Sequence, residues 1–491
     1  MRAVPIAIAL AATIACHPGP DGTGPVTTRP TRFEVALHPA AGVAGTQVVN
    51  FAVPLPAGLL ADPDRIQVSH RGVQLASARV PLATYRDGTL RAVQLQVELF
   101  LDGAPLEVEV GTPGGLERTA VPVADTLVGP TQTPRVWATL PADWLAASGG
   151  FGPLTPWAAV RGTPLDAWIG LCDYARWGTD AFVAGMDQRE VWLFDRVTAM
   201  YRGYAVTGDL GPLTSAYREA AIYRAGLTGV GADTRIGVPT AADDLKYHYT
   251  QGLALHYLVT GDTRYREAAE QVALRAHALW PTPGYRGDDR FWTERHAGFA
   301  LLAYEHAARV SDDQAATFAA WADEAVAAYL AHQDEFPANG AEPDARCFAH
   351  TAAAHDEPFG YVGCSPWMSA ILADGLAAYA DRVGGLRADR AVTALIKLGR
   401  MIARHGRDAT GKPYYWLGVE RAGEVDEFDE HWGEAAYLVA LAWSLDGRRD
   451  PALRAAADAL VAGLRAHGTV GPLRSFAWQC RSAVATPAYL R

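Results

Sequence analysis

Five short stretches gather side chains that can move protons, hold anions or stack on sugar rings: MDQREVW (186–192), DDLKYHY (243–249), DDRFWTERH (288–296), CSPW (364–367) and DEFDEHW (426–432). His248 and His296 are the natural proton acceptors, because a neutral imidazole titrates near neutral pH. Tyr247 or Tyr249 could serve as acid or base if a neighbouring cation lowered its pKa. Arg295, Arg290 and Lys246 could neutralise a carboxylate and so acidify the C–H beside it. The catalytic expectation therefore rests on His248, Tyr247, Tyr249, His296 and Arg295. Substrate contacts are expected from Lys246, Asp244, Arg290, Trp292, Glu294, Trp367, Glu430, His431, Trp432 and Trp192. Flat rings cover the apolar faces of pyranoses while polar groups bond their hydroxyls. A hydrolase would instead need two carboxylates across a cleft, for which Asp244, Glu294, Asp429 and Glu430 are available. The competing structural reading is that the acids cap helix starts and the aromatics seal loop–helix junctions.

These stretches share a mouth only if the elements behind them are arranged to bring them together. From about residue 166 the chain turns to Ala/Leu-rich segments with helical periodicity. GYAVTGDLGPLTSAYREAA (203–221) and HYLVTGDTRYREAA (256–269) repeat one pattern: a helix ended by glycine, a turn, and a returning helix. Three later segments have the same texture, so five hairpins are expected, with first helices starting near 190, 246, 292, 366 and 430. Stacked hairpins can form an open solenoid or close into an α/α toroid whose first helices line the inside. Closure is the expectation, incomplete at about five hairpins. Gly252, Gly298, Gly433 and Ala199 would allow close inner packing. The repeat register aligns His248 with Asp195, Tyr247 with Phe194 and Lys246 with Leu193, so the hairpin itself does not require Lys-Tyr-His. Gathered helix N-termini also favour an anionic group such as a uronate.

The preceding region differs. Residues 1–15 read as a signal peptide, and Thr13-Ile14-Ala15-Cys16 as a lipobox in which Cys16 would carry lipid. Residues 16–31 form a Pro/Gly/Thr linker, 32–125 a small β-barrel or sandwich of short strands, 126–165 a connector and 166–491 the toroid. The fold class is thus multi-domain, β followed by α. The implied location is that of an exported bacterial lipoprotein, anchored to a membrane through lipid. A net charge of −11 argues against nucleic acid. The four remaining cysteines are expected to pair as Cys347–Cys364 and Cys172–Cys480, the second because a toroid brings its ends together. No CxxC or HExxH pattern marks a metal site or other cofactor, though Ca²⁺ could do the neutralising in place of a side chain.

Residues 51–101 resemble the N-terminal β-barrel of the exo-acting rhamnogalacturonan lyase-like (YetA-like) proteins. The match is carried by Pro54-Leu55-Pro56-Ala57-Gly58 and by Tyr85-Arg86-Asp87-Gly88-Thr89, with Tyr85 where the family has Trp. The resemblance implies a barrel followed by an α/α toroid and a polysaccharide or oligosaccharide substrate; no catalytic residue is carried over from it. Three functions remain open: a polysaccharide lyase acting by β-elimination on a uronate glycan, a glycoside hydrolase, and a glycan-binding lipoprotein without chemistry.

Overall fold

The computed structural model describes residues 31–491 except 130–132, 238–242, 282, 284–292, 336–341, 356, 420, 426 and 472. Cys16, Arg290 and Trp292 therefore lie outside the described residues. The N-terminal part contains β1 (Thr31–Pro39), β2 (Thr46–Pro54), β3 (Ile66–His70), β4 (Val73–Gln74), β5 (Ser77–Thr84), β6 (Leu90–Phe100), β7 (Leu106–Val110), β8 (Leu127–Val128), β9 (Thr133–Pro134) and β10 (Val136–Thr139). An antiparallel five-stranded sheet runs β10-β1-β7-β3-β4, and a three-stranded sheet runs β2-β6-β5. β1 serves two partners: its first half pairs with β7 and its second with β10.

The two sheets form a sandwich; among the described residues there is no closed barrel. The reason lies in the second face of the three-stranded sheet. In β7 the residues alternate buried and half-buried, as expected for one covered face, whereas β6 is buried on both faces from Ala92 to Val97. Its second face lies against the helices. There Asn50 donates to the Thr260 carbonyl at 2.9 Å and accepts from Gln94 and Gln96 at 2.6 and 3.0 Å. A sheet covered by helices has no need to close on itself.

Short helices α1 (Ala142–Ala147), α2 (Trp157–Val160), α3 (Ala167–Leu171) and α4 (Thr179–Gly185) lead into five hairpins. These are α5 (Arg196–Thr207) with α6 (Leu210–Ala225), α7 (Gln251–Thr260) with α8 (Thr263–Leu279), and α9 (Glu294–Val310) with α10 (Ala315–Glu335). They continue as α11 (Pro366–Val383) with α12 (Gly385–His405), and α13 (Trp432–Leu445) with α14 (Pro451–His467), before α15 (Leu473–Arg481) and α16 (Thr486–Leu490). First helices are buried almost all round: every residue of α7 is buried, whereas α12 and α14 bury one stripe. The repeated Thr-Gly-Asp is explained by its geometry. Gly208 and Gly261 end α5 and α7 with φ of 74° and 73°, a conformation that glycine adopts without steric cost.

The ring is toroid-like, and α15 fills its last inner position by packing on both α5 and α13. The Cys172–Cys480 disulfide fastens this junction, and Cys347–Cys364 braces the loop before α11. Disulfides of this kind belong to an extracellular or periplasmic protein. No helix among the described residues is long and apolar enough to cross a membrane. Two short ladders complete the fold: β11 (Leu227–Thr228) pairs with β12 (Arg235–Ile236), and β13 (His350–Thr351), β14 (Val362–Cys364), β15 (Tyr414–Gly418) and β16 (Glu424–Val425) form a sheet beside the start of α11.

Candidate functional site

At the mouth, Lys246 and His296 converge on Asp244. This residue caps the single turn Leu245–Tyr247 ahead of α7, its carboxylate accepting the Lys246 N–H at 3.1 Å. The same carboxylate accepts from Lys246 Nζ at 2.8 Å and from His296 Nε2 at 3.2 Å. Burial would raise the Asp244 carboxyl, but His296 and Lys246 outweigh it and hold the group well below the usual carboxylate range. An ionised carboxylate only accepts, so His296 Nε2 carries the proton and its Nδ1 accepts from the Thr293 hydroxyl at 2.8 Å. Thr293 also caps α9. Burial lowers the His296 pKa despite Asp244, which keeps the imidazole neutral.

Arg295, beside His296, has a different environment. It is buried, and its Cζ lies 5.4 Å from the Trp367 ring centroid. Its Nε lacks a hydrogen-bond partner, and its guanidinium makes no ion pair among the described residues. Burial lowers the Lys246 ammonium, and the Arg295 charge lowers it further, so two cations face one carboxylate. Tyr247 lies in the same field: burial pushes its hydroxyl up to about 12 against the pull of Arg189 and Arg295. That hydroxyl makes no hydrogen bond among the described residues. The tyrosine is therefore a protonated donor, not the lowered-pKa base that its cationic neighbours suggested.

Beneath these groups lies an aromatic floor. Trp367 stacks with His431 (5.2 Å, 12° between planes), Trp478 (5.4 Å, 24°) and Tyr415 (5.8 Å, 30°). Phe194 meets Trp367 and Trp478 at 6.0 and 5.3 Å, from a backbone with φ of 70°. A bulky residue in that region is strained, and such strain is concentrated at functional sites. From sequence, Trp478 has no assigned role, and Phe194 stands only as the repeat counterpart of Tyr247. A signal for Trp478 existed, since it stands two residues before a cysteine expected at the ring junction.

Several residues chosen from sequence have other roles. His248 donates Nδ1–H to the Asp244 carbonyl at 3.0 Å and leaves a buried, unpartnered Nε2. Burial lowers its pKa to about 4, and the largest charges acting on it are those of Arg275, Asp244 and Asp243. Tyr249 is committed to the core, its hydroxyl donating to the Trp192 carbonyl at 2.5 Å. Glu294 is fully buried; its carboxylate meets His350 Nε2 and accepts from the Ser365 N–H at 2.8 Å, tying α9 to α11. His350 is thus half of a buried pair. Glu430 accepts from Ser475 at 2.6 Å, and His431 also stands 3.5 Å from Glu434. Trp192 donates to the Met186 carbonyl, and Trp432 lies against Gly463 on α14, where an added Cβ would come 2.0 Å from the ring. Neither belongs to the Trp367 stack.

No protein-family model matches the chain, and no curated protein matches it. Among solved structures, a polysaccharide lyase superimposes over 61% of this chain and 89% of its own length, with a TM-score of 0.39 and 11% identity. The likeness of residues 51–101 to the YetA-like proteins rests on those residues alone.

Proposed function

We propose that the mouth binds a uronate-containing glycan and cleaves it by β-elimination, making the protein an exported polysaccharide lyase. The observation that carries this reading is Arg295: a buried guanidinium with no ion pair among the described residues, set beside Lys246 and over an aromatic floor. A buried cation that shares its nearest carboxylate, Asp244, with Lys246 is costly, and an anionic ligand supplies the second negative charge. With the uronate carboxylate against Arg295 and Lys246, charge developing on that carboxylate is stabilised as the C5 proton leaves. His296, neutral and oriented by Asp244, takes that proton at Nδ1 once the Thr293 hydroxyl turns aside. Tyr247 donates its proton to the departing C4 oxygen as the C4–O bond breaks and the C4=C5 double bond forms. His248 supports the Asp244 turn from behind.

The arrangement is less suited to hydrolysis. Glu294 and Glu430 hold internal hydrogen bonds, and Asp244 is kept ionised by two donors, so these three do not supply a protonated carboxylic acid facing a carboxylate base. Attachment to a membrane through lipid on Cys16 is part of the same proposal. The test is a panel of uronate-containing glycans scored for ultraviolet-absorbing unsaturated ends. Unsaturated product supports the lyase. New reducing ends without unsaturation would replace it with a hydrolase, and binding without turnover with a glycan-binding protein.

A further inference from the structure

A second cluster of acids lies where α8 passes the turn between α9 and α10. Glu270 on α8 and Asp312 and Asp313 on the turn each place a carboxylate oxygen within 4.8 Å of the others. Glu270 is only 2% exposed, and its Oε1 is buried without a hydrogen-bond partner. Asp312 and Asp313 are exposed. Arg266 reaches the cluster through Asp312 Oδ2 at 2.7 Å, but it also pairs with Glu267 at 2.6 Å. One cation is thus shared by two carboxylates, leaving Glu270 and Asp313 without an ion pair among the described residues. Ser311 orders the turn by donating to Asp313 at 3.4 Å and accepting from the Gln314 N–H at 2.9 Å. Burial pushes the Glu270 carboxyl up to about 7 against the pull of a Ser311 hydrogen bond, with Glu267 and Asp313 adding to the rise.

A buried oxygen without a partner calls for an explanation, and here it belongs to a residue whose carboxylate stands among others from a separate element. The donor set is all oxygen, without His or Cys, which suits a hard cation. Two of its three members are exposed, leaving room for the waters that complete six to eight ligands around Ca²⁺. We propose that Glu270, Asp312 and Asp313 form a Ca²⁺ site that clamps α8 to the α9–α10 turn. The mouth is at the other end of α9, whose 17 residues span about 25 Å. The ion therefore supports the ring and takes no part in neutralising substrate. The ligands stand 42 residues apart in sequence, so no short spacing motif marks them.

The test is calorimetric titration and thermal melting of the full chain after chelation and dialysis, using CaCl₂ and MgCl₂ as probes. One Ca²⁺ should bind per chain and raise Tm. Glu270→Gln and the surface variant Asp313→Asn should each weaken binding at least about tenfold, whereas Arg295→Met should leave it unchanged. Wild-type protein that shows neither heat nor a Tm shift, or two variants that bind Ca²⁺ as wild type does, would overturn the site. Tighter binding of Mg²⁺ than of Ca²⁺ would overturn the choice of ion.

Discussion

At the scale of single residues, hydrogen bonding separates groups that look equivalent in sequence. His248 and His296 both touch Asp244, but only His296 meets its carboxylate. On the proposed mechanism, His296→Gln should lower kcat by about 10²-fold or more, while His248→Gln should retain most of the turnover. Steady-state kinetics on a cleaved glycan distinguishes the two. His248 has a separate, pH-dependent consequence. Its folded value of about 4 lies below the ordinary 6.5, so between those pH values the unfolded chain binds a proton that the folded chain does not. Its contribution to stability is complete above pH 6.5 and falls by about 1.4 kcal/mol per unit as the pH drops to 4. Denaturant melts at pH 7 and 5 should show this decline, with a shallower slope in His248→Gln.

At the scale of elements, much was legible because it repeats. The expected hairpin starts near 190, 246, 292, 366 and 430 lie within six residues of the observed 196, 251, 294, 366 and 432. The small residues at those starts also have the anticipated use. A Cβ on Gly298 would stand 2.6 Å from the Leu372 nitrogen on α11, and one on Gly252 would stand 2.6 Å from Val197 on α5. Gly298→Ala meets backbone that cannot swing away, so a loss of about 1–3 kcal/mol is expected in chemical denaturation. Side-chain direction was not legible. An aromatic at a loop–helix junction has the same spacing whether it joins the mouth, as Trp367 does, or packs outward on α14, as Trp432 does. Glu294 read as a cleft carboxylate because its partners His350 and Ser365 lie 56 and 71 residues away.

At the scale of the whole molecule, the ring is held by its covalent junction and by the β-sandwich beneath it. The Cys172–Cys480 bridge spans 308 residues, whereas Cys347–Cys364 spans 17. In the chain-entropy account the longer loop is worth about 5–6 kcal/mol and the shorter about 3. Cys172→Ser/Cys480→Ser should therefore lower the denaturation midpoint more than Cys347→Ser/Cys364→Ser. The sandwich contributes through contacts such as the Tyr257 hydroxyl donating to the Leu82 carbonyl at 3.0 Å and Arg86 donating to the Val383 carbonyl at 3.0 Å. It is a platform for the ring, and the proposed chemistry stays at the opposite mouth.

In the proposed reaction Arg295, with Lys246, recognises a uronate carboxylate and stabilises its charge during elimination. The most direct measurement compares a cleaved uronate glycan with the same glycan after its carboxylates have been reduced to alcohols, using wild type and Arg295→Met. Wild type should form unsaturated product only from the acidic glycan, and Arg295→Met should lose about 10²-fold or more in kcat/KM on it. Equal cleavage of the reduced glycan, or undiminished activity of Arg295→Met, would contradict the account.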